Sequence, residues 1–145
     1  MTTPYRVYIA AASVPSELER VERWSAKLAE VGIEVVSTWP RNIREVGTAN
    51  PRDVTREARR EWALTCADQV AKAHALWLMC PPEGVTTRGA WFELGFAFAC
   101  HMHVVCSGDT TQTIFAAIAL EECNTDDFAF ATIKGWAERY IAVRK

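Results

Sequence analysis

A run of six apolar residues near the middle of the chain, Ala75–Cys80 (ALWLMC), is the feature that most constrains the fold. A strand that is apolar at every position must be covered on both of its faces, which is typical of the centre of a parallel sheet. Segments with the apolar spacing of helices lie on both sides of this run. The sequence therefore predicts a parallel sheet between two layers of helices.

Predicted strands and helices alternate along the whole chain, and no internal repeat or interdomain linker interrupts them. The predicted strands are Tyr5–Ala12, Ile33–Thr38, Ala75–Cys80, His103–Ser107 and Ala117–Cys123. The predicted helices are Pro15–Val31, Val54–Ala73 with Asp53 as its cap, Gly89–His101, a brief helix at Gln112–Ala116, and a last helix from Thr125 or Asp126 to about Val143. We predict one α/β domain over residues 1–145, with a doubly wound, flavodoxin-like, five-stranded parallel sheet and helices on both faces. Its ligand crevice is expected beyond the carboxyl ends of the strands.

One long stretch, Trp39–Pro51, lacks clear periodicity and contains two prolines, a glycine and two asparagines. These residues predict a loop, and loops of this length in compact domains often carry function. Six arginines lie between Arg41 and Arg60. They suggest either a basic flap over an anionic substrate or a solvated surface.

The charge balance excludes one broad class of function. The 145 residues include 16 Lys and Arg against 18 Asp and Glu, which gives a formal net charge of −2. A protein that binds duplex nucleic acid needs a basic face to neutralise phosphates, so polymeric nucleic acid is not expected as a partner.

The cysteine count and the hydropathy pattern bear on location. The five cysteines are odd in number and form no CxxC pair, which favours a reducing compartment. We find no signal peptide at the amino terminus and no apolar stretch of the ~20 residues that cross a bilayer. We therefore expect a cytoplasmic protein without contact with a membrane.

Glu93 is the side chain best placed to do chemistry. The chain has no GxxxxGK[ST], no GxGxxG after the first strand and no GxSxG. Glu93 lies near the start of a predicted helix that follows the central strand and a Thr-Thr-Arg-Gly turn. We expect the helix dipole to keep Glu93 ionised and the turn to favour an anionic ligand group.

Three segments together resemble the nucleoside 2-deoxyribosyltransferase superfamily. They are YIAAAS at Tyr8–Ser13, ADQVAKAHALWLM at Ala67–Met79 and GAWFELGFAFA at Gly89–Ala99. The resemblance implies an enzyme that cleaves or exchanges an N-glycosidic bond. It implies that Glu93 is the nucleophile at the anomeric carbon, that Asp68 contacts the sugar and assists base departure, and that Tyr8 positions the nucleophile. Trp39 is similar to an aromatic residue that faces the base in some relatives.

The chemistry follows from these groups. A carboxylate beside C1′ can stabilise oxocarbenium character and form a covalent glycosyl ester. Water as the acceptor gives a hydrolase, whereas a second nucleobase gives a deoxyribosyltransferase, and both outcomes stay open. Thr86, Thr87, Arg88 and the N–H groups from Gly89 onward would favour a 5′-phosphate, because arginine offers a two-pronged donor at a helix start. We expect a nucleoside 5′-monophosphate or nucleoside as the substrate, and no metal or organic cofactor.

Each of these residues also has a purely structural interpretation. Glu93 could only stabilise its helix, Asp68 could be a solvated helix residue, and Tyr8 could be an ordinary core residue. The set Cys100, His101, His103 and Cys106 suggests zinc, but it crosses a helix-to-strand junction, where the side chains diverge. We therefore expect no metal site.

Two other functions and a homo-oligomeric assembly also have to be considered. The domain could bind a nucleotide without turning it over, or it could cleave NAD as domains of the TIR type do, although the Glu-Leu-Gly helix fits the latter less well. Members of the superfamily generally form dimers or larger assemblies. The resemblance therefore implies at least a homodimer, with Trp91, Phe92 and Phe96 as candidate contacts.

Overall fold

A computed structural model describes residues 3–145 and shows a single five-stranded, all-parallel sheet in the order β2-β1-β3-β4-β5. The strands are β1 (Arg6–Ala10), β2 (Glu34–Val35), β3 (Ala75–Met79), β4 (His103–Ser107) and β5 (Glu121–Cys123). The helices are α1 (Pro15–Glu30), α2 (Trp39–Val46), α3 (Arg56–Lys72), α4 (Gly89–Ala99) and α5 (Asp126–Val143). The prediction of a doubly wound, flavodoxin-like α/β sheet is confirmed.

The sheet separates two apolar clusters. Alternate residues of β1 serve opposite faces: Val7 and Ile9 pack with α1 and α5, whereas Tyr8 and Ala10 pack with α3 and α4. Every residue of β3 is buried, as the apolar run at Ala75–Cys80 predicts for a central strand. Tyr8 therefore lies on the same side of the sheet as α4, the helix that carries Glu93.

The predicted loop at Trp39–Pro51 is wrong in its first half, because residues Trp39–Val46 form α2. Pro40 is tolerated in the first turn of this helix, where a backbone N–H has no partner within the helix. Gly47 ends the helix with φ +83° and donates its N–H to the carbonyl of Ile43. Prolines and asparagines suggested a loop, but none of them lies where it would break this short helix.

Five other elements have boundaries that differ from the prediction. Helix α3 begins after Thr55, whose hydroxyl accepts a hydrogen bond from the Ala58 N–H, so Thr55 and not Asp53 is the cap. Helix α4 ends at Ala99, because His101 adopts a left-handed conformation with φ +56°. A 3₁₀ helix at Ile114–Ile118 takes up part of the predicted fifth strand, which is confined to Glu121–Cys123. The first two strands are also shorter than predicted.

A buried ionic network joins both terminal helices to the carboxyl edge of the sheet. The guanidinium of Arg20 binds Asp126 through two hydrogen bonds of 2.7 and 2.6 Å, Glu17 at 2.8 Å and the carbonyl of Cys80 at 2.9 Å. Asp126 also accepts from Ser107, whose oxygen accepts from the Trp77 indole. Every charged group here has an opposite charge beside it, which offsets its loss of hydration.

Within residues 3–145, no helix combines the length and the apolar character that crossing a bilayer requires.

Candidate active site

Glu93 and Tyr8 meet on the α3–α4 side of the sheet. The hydroxyl of Tyr8, in the middle of β1, donates a hydrogen bond to Oε2 of Glu93. Tyr8 is fully buried and Glu93 is partly buried. Within the described chain, Glu93 forms no ion pair and its second oxygen, Oε1, has no hydrogen-bond donor. The pair thus leaves one carboxylate oxygen free to react.

Glu93 does not have the ionisation that its sequence position suggests. Helix α4 starts at Gly89, so Glu93 is in the second turn, where the influence of the helix dipole has largely faded. Burial raises the pKa of Glu93 to about 7, and the hydrogen bond from Tyr8 opposes that rise. Burial therefore favours the neutral acid, against the expectation of an ionised carboxylate.

Tyr8 is a neutral donor in this pair. Burial is the main cause that raises the pKa of its hydroxyl, and the negative charge of Glu93 raises it further. The phenol keeps its proton over the whole range in which Glu93 titrates. Tyr8 can therefore orient the carboxylate and stabilise its charge without itself ionising.

The structure does not bring Asp68 to this pair. Its carboxylate accepts a hydrogen bond of 2.7 Å from Lys72 one helical turn later, and its side chain is 59% exposed. On α3 the residue two positions earlier, Cys66, faces the sheet. Two residues along a helix turn the side chain through about 200°, so Asp68 and Cys66 point to opposite sides.

Cys66 is the site residue that the sequence did not single out. Its thiol lies beside the Tyr8 hydroxyl and within the electrostatic reach of Glu93. Burial raises the pKa of Cys66, so it remains a neutral thiol. The signal available in the sequence is the i, i+4 spacing of Cys66 and Val70, which places both on the buried face of α3.

The candidate phosphate-binding turn lies directly before α4. Thr86, Arg88 and Gly89 are exposed, and Thr87 is partly buried. Thr87 accepts a hydrogen bond of 3.4 Å from the Ala90 N–H, which helps to begin the helix. These groups surround the amino end of α4, one turn from Glu93, so the fold brings the predicted anion site and the carboxylate to neighbouring turns of one helix.

Trp39 is anchored on β1. Its indole Nε1 donates a hydrogen bond of 2.8 Å to the carbonyl of Ile9, the residue after Tyr8. The ring packs against both apolar clusters at the start of α2. The predicted base-facing residue is thus held close to the carboxyl end of β1.

Three of the six arginines in the predicted basic flap have partners for their side chains within residues 3–145. Arg44 pairs with Glu22 at 2.9 Å, Arg41 lies 3.9 Å from Glu45, and Arg59 binds the carbonyls of Pro51 and Val54. Arg44 joins α2 to α1, and Arg59 joins α3 to the segment before it, whereas the Arg41 pair lies within α2. Within residues 3–145, no group of three or more His, Cys, Asp or Glu side chains is arranged to hold a metal ion.

Comparison with known proteins gives structural neighbours at low sequence identity. No protein-family model and no curated protein sequence matches the chain. A conserved protein from Enterococcus faecalis V583 has a TM-score of 0.67 and 12% identity, over 92% of this chain and 99% of that one. The CMP N-glycosidase BcmB from Clostridium botulinum has a TM-score of 0.56 and 16% identity, over 88% of this chain and 97% of that one. At these identities the chain is similar to both proteins in fold.

Proposed function

We propose that this protein is an enzyme that cleaves the N-glycosidic bond of a nucleoside 5′-monophosphate or nucleoside, with Glu93 as the nucleophile. The observation that carries the proposal is a partly buried carboxylate that one tyrosine orients and that has no cationic partner within the described chain. A negative charge without a compensating cation is suited to stabilise positive charge that develops on a substrate. An oxocarbenium-like transition state presents such a charge at C1′.

The proposed reaction has two steps. Oε1 of Glu93 bonds to C1′ while the bond between C1′ and the base nitrogen breaks, and the electron pair leaves with the base, which takes up a proton. Water then attacks C1′ of the glycosyl ester, loses a proton, and frees the sugar and the Glu93 carboxylate. Tyr8 holds Oε2 throughout, which leaves Oε1 as the attacking atom.

The leaving base has to take up a proton from a neighbouring group. The resemblance assigns this proton to Asp68, but its carboxylate is exposed and ion-paired with Lys72, so the side chain has to turn before it can reach the base. Tyr8 and Cys66 are the neutral proton-bearing groups that contact the site directly. Asp68→Asn is therefore part of the experiment below.

A phosphorylated substrate is favoured by the turn before α4. The Arg88 guanidinium forms no ion pair within residues 3–145, and the first N–H groups of α4 lie beside it. These are the donors that bind phosphate at helix starts. The similarity of fold to a CMP N-glycosidase supports cytidine 5′-monophosphate as the first substrate to test.

The decisive experiment incubates the protein with nucleoside 5′-monophosphates and the matching nucleosides, and measures free base by chromatography. We expect base release from the wild type and a loss of roughly 10³-fold or more in Glu93→Gln, because the nucleophile is removed. Glu30→Gln, which alters an exposed carboxylate at the end of α1, is the matched control and should leave the rate unchanged. Arg88→Ala should reduce cleavage of nucleotides more than cleavage of nucleosides.

The same assay separates the alternatives. Base release that survives Glu93→Gln would refute the proposed nucleophile, and an unchanged rate in Asp68→Asn would remove Asp68 from the mechanism. A new nucleoside on addition of a second base would show deoxyribosyl transfer. Tight nucleotide binding in calorimetry without base release would show a binding module, and consumption of NAD would show activity of the TIR type.

We also propose that two copies of the chain associate through α4 and the 3₁₀ helix at Ile114–Ile118, which pack together. Large apolar side chains are exposed on these elements: Phe92 by 65%, Phe98 by 53%, Phe115 by 56% and Ile114 by 81%. Exposed apolar side chains on neighbouring elements commonly mark an interface. Sedimentation at micromolar concentration should give a dimer that Phe92→Asp weakens, and a monomeric wild type would contradict this.

A further inference from the structure

An open groove of about 490 Å³ lies at the amino edge of the sheet, away from the carboxyl edge where the turn before α4 lies. We call it the amino-edge groove. Tyr5 and His74, which come just before β1 and β3, and His103, the first residue of β4, form its floor. Residues of α5 and the chain end after it, including Trp136, Arg139, Tyr140 and Arg144, form its wall. None of its lining residues belongs to the proposed active site.

Flat rings line this groove. Tyr5 and His74 stack with 5.1 Å between ring centroids and 14° between planes, and Tyr140 lies 4.5 Å from His74. On the other side, His103 lies 5.1 Å from Trp136. Tyr5 and Trp136 are buried, so the walls are preformed by packing. Such walls suit a planar or apolar ligand body.

The charge of the groove is positive, although the whole chain carries −2. Arg139 and Arg144 line it, and no carboxylate does. Neither guanidinium forms an ion pair in the part of the chain that the structure describes. Arg144 lies 4.3 Å over the Tyr140 ring. The two arginines thus keep donors available for an anionic group.

His74 adds a neutral donor. Its Nδ1 accepts a hydrogen bond of 2.9 Å from the backbone N–H of Arg6, so the neutral ring carries its proton on Nε2. Burial, and then the charges of Arg6 and Arg144, lower the pKa of His74. The side chain therefore offers an N–H at neutral pH, and the arginines supply the charge.

From these observations we propose that the amino-edge groove is a second binding site, for a small anion that carries a carboxylate or phosphate on an aromatic body. The ring would lie against the His74 and Tyr140 surfaces, and the anionic group would meet Arg139 and Arg144. The proposal does not depend on the chemistry of Glu93, because the two sites share no residue.

The test is a titration of the full chain with phenyl phosphate and with benzoate, followed by backbone and indole N–H chemical shifts. We expect saturable shifts of His74, His103 and the Trp136 indole, with dissociation constants on the order of 1 mM for so small a ligand. Benzyl alcohol, which has the ring without the charge, should not bind measurably. The stronger of the two anions identifies the anionic group that the site prefers.

A variant with both Arg139→Gln and Arg144→Gln should bind the anions at least about tenfold more weakly. Both side chains are exposed, so the fold should not suffer. The matched control carries Arg52→Gln and Arg60→Gln, two exposed arginines outside the groove, and should bind as the wild type does. Three outcomes would overturn the proposal. The first is that both variants lose the same affinity for the anions, and the second is that only residues 86–93 change their chemical shifts. The third is that binding does not saturate at a ligand concentration 20-fold above the expected dissociation constant.

Discussion

Asp126 and Glu93 are both largely removed from water, yet their pKa values shift in opposite directions. The Arg20 guanidinium and the Ser107 hydroxyl bind Asp126, and they lower its pKa although burial acts the other way. Glu93 has only the Tyr8 hydroxyl, which does not offset burial, and its pKa rises to about 7. Burial therefore acts to raise the pKa of both carboxyl groups, and the hydrogen-bonded cation beside Asp126 is what reverses the shift there.

The two carboxylates also differ in what they do for stability. Asp126 is ionised at neutral pH and fastens α5 to α1 through Arg20. Glu93 costs stability whenever it is ionised, because its negative charge is buried without a cation. A carboxylate that weakens the fold is expected at a functional site, whereas a fully paired one is expected in a structural network.

The largest expected effect comes from breaking the structural network. Arg20→Met leaves Asp126 and Glu17 buried without their cation, and we expect a loss of about 3–5 kcal/mol in the free energy of unfolding. Arg60→Met, at an exposed arginine of α3 that forms no ion pair within residues 3–145, is the control and should cost about 0.5 kcal/mol or less. Chemical denaturation measures both. If Arg20→Met is as mild as the control, Asp126 is not held as we describe.

The next effect concerns Glu93 and pH. Its pKa is raised from 4.5 to about 7 on folding, so the folded chain holds a proton that the unfolded chain releases between these values. The wild type therefore loses stability as pH rises from 4.5 to about 7. Glu93→Gln escapes this loss and still offers Tyr8 an acceptor. We expect it to be more stable than the wild type by up to about 3 kcal/mol at pH 8 and nearly equal at pH 4.5.

Thermal or denaturant unfolding of the two proteins across this pH range is the measurement. Glu83→Gln, at an exposed carboxylate, should show no such dependence. If Glu93→Gln is less stable than the wild type at pH 8, then stabilising contacts hold the ionised carboxylate of Glu93, as they hold that of Asp126. The two carboxylates would then not differ in their effect on stability.

The smallest effect tests the partner of Glu93. Tyr8→Phe removes the hydrogen bond that lowers the pKa of the carboxylate, so that pKa should rise further. If ionised Glu93 is the nucleophile, the pH at which kcat/KM reaches half its plateau should move from about 7 to a higher value. We expect a loss of roughly 10–100-fold at pH 6 and a smaller loss at pH 9. Tyr140→Phe, whose hydroxyl has no hydrogen-bond partner in the described chain, is the control.

A uniform loss of activity in Tyr8→Phe at all pH values would contradict this role. It would indicate that the hydroxyl acts in the transition state without tuning the ionisation of Glu93.

Much of the fold could be predicted because its signals are local. The apolar run at β3 and the alternating strands and helices led directly to the five-stranded parallel sheet. Helix α2 was missed because Pro40 and Asn42 suggest a loop unless their places in the helix are known. Likewise, the end of α4 depends on the left-handed conformation of His101, which a histidine adopts too rarely for the residue type alone to mark the end of a helix.

The site was predicted in part. Glu93 and Tyr8 were chosen from the sequence, and the fold brings them into contact across 85 residues. Asp68 was chosen from the family resemblance, but helical geometry turns it towards solvent and turns Cys66 towards Tyr8. A shift of two residues is small in a sequence pattern and moves a side chain to the other side of a helix.

The sequence by itself determined the class of the fold, the position of the central strand and the acid on the helix that follows it, because these depend on hydrophobic patterns within a few residues. Only the tertiary structure decided the ionisation of that acid, the identity of its neighbours and the positive groove at the opposite edge of the sheet. These properties depend on burial and on charges from distant segments, which meet only when the chain has folded.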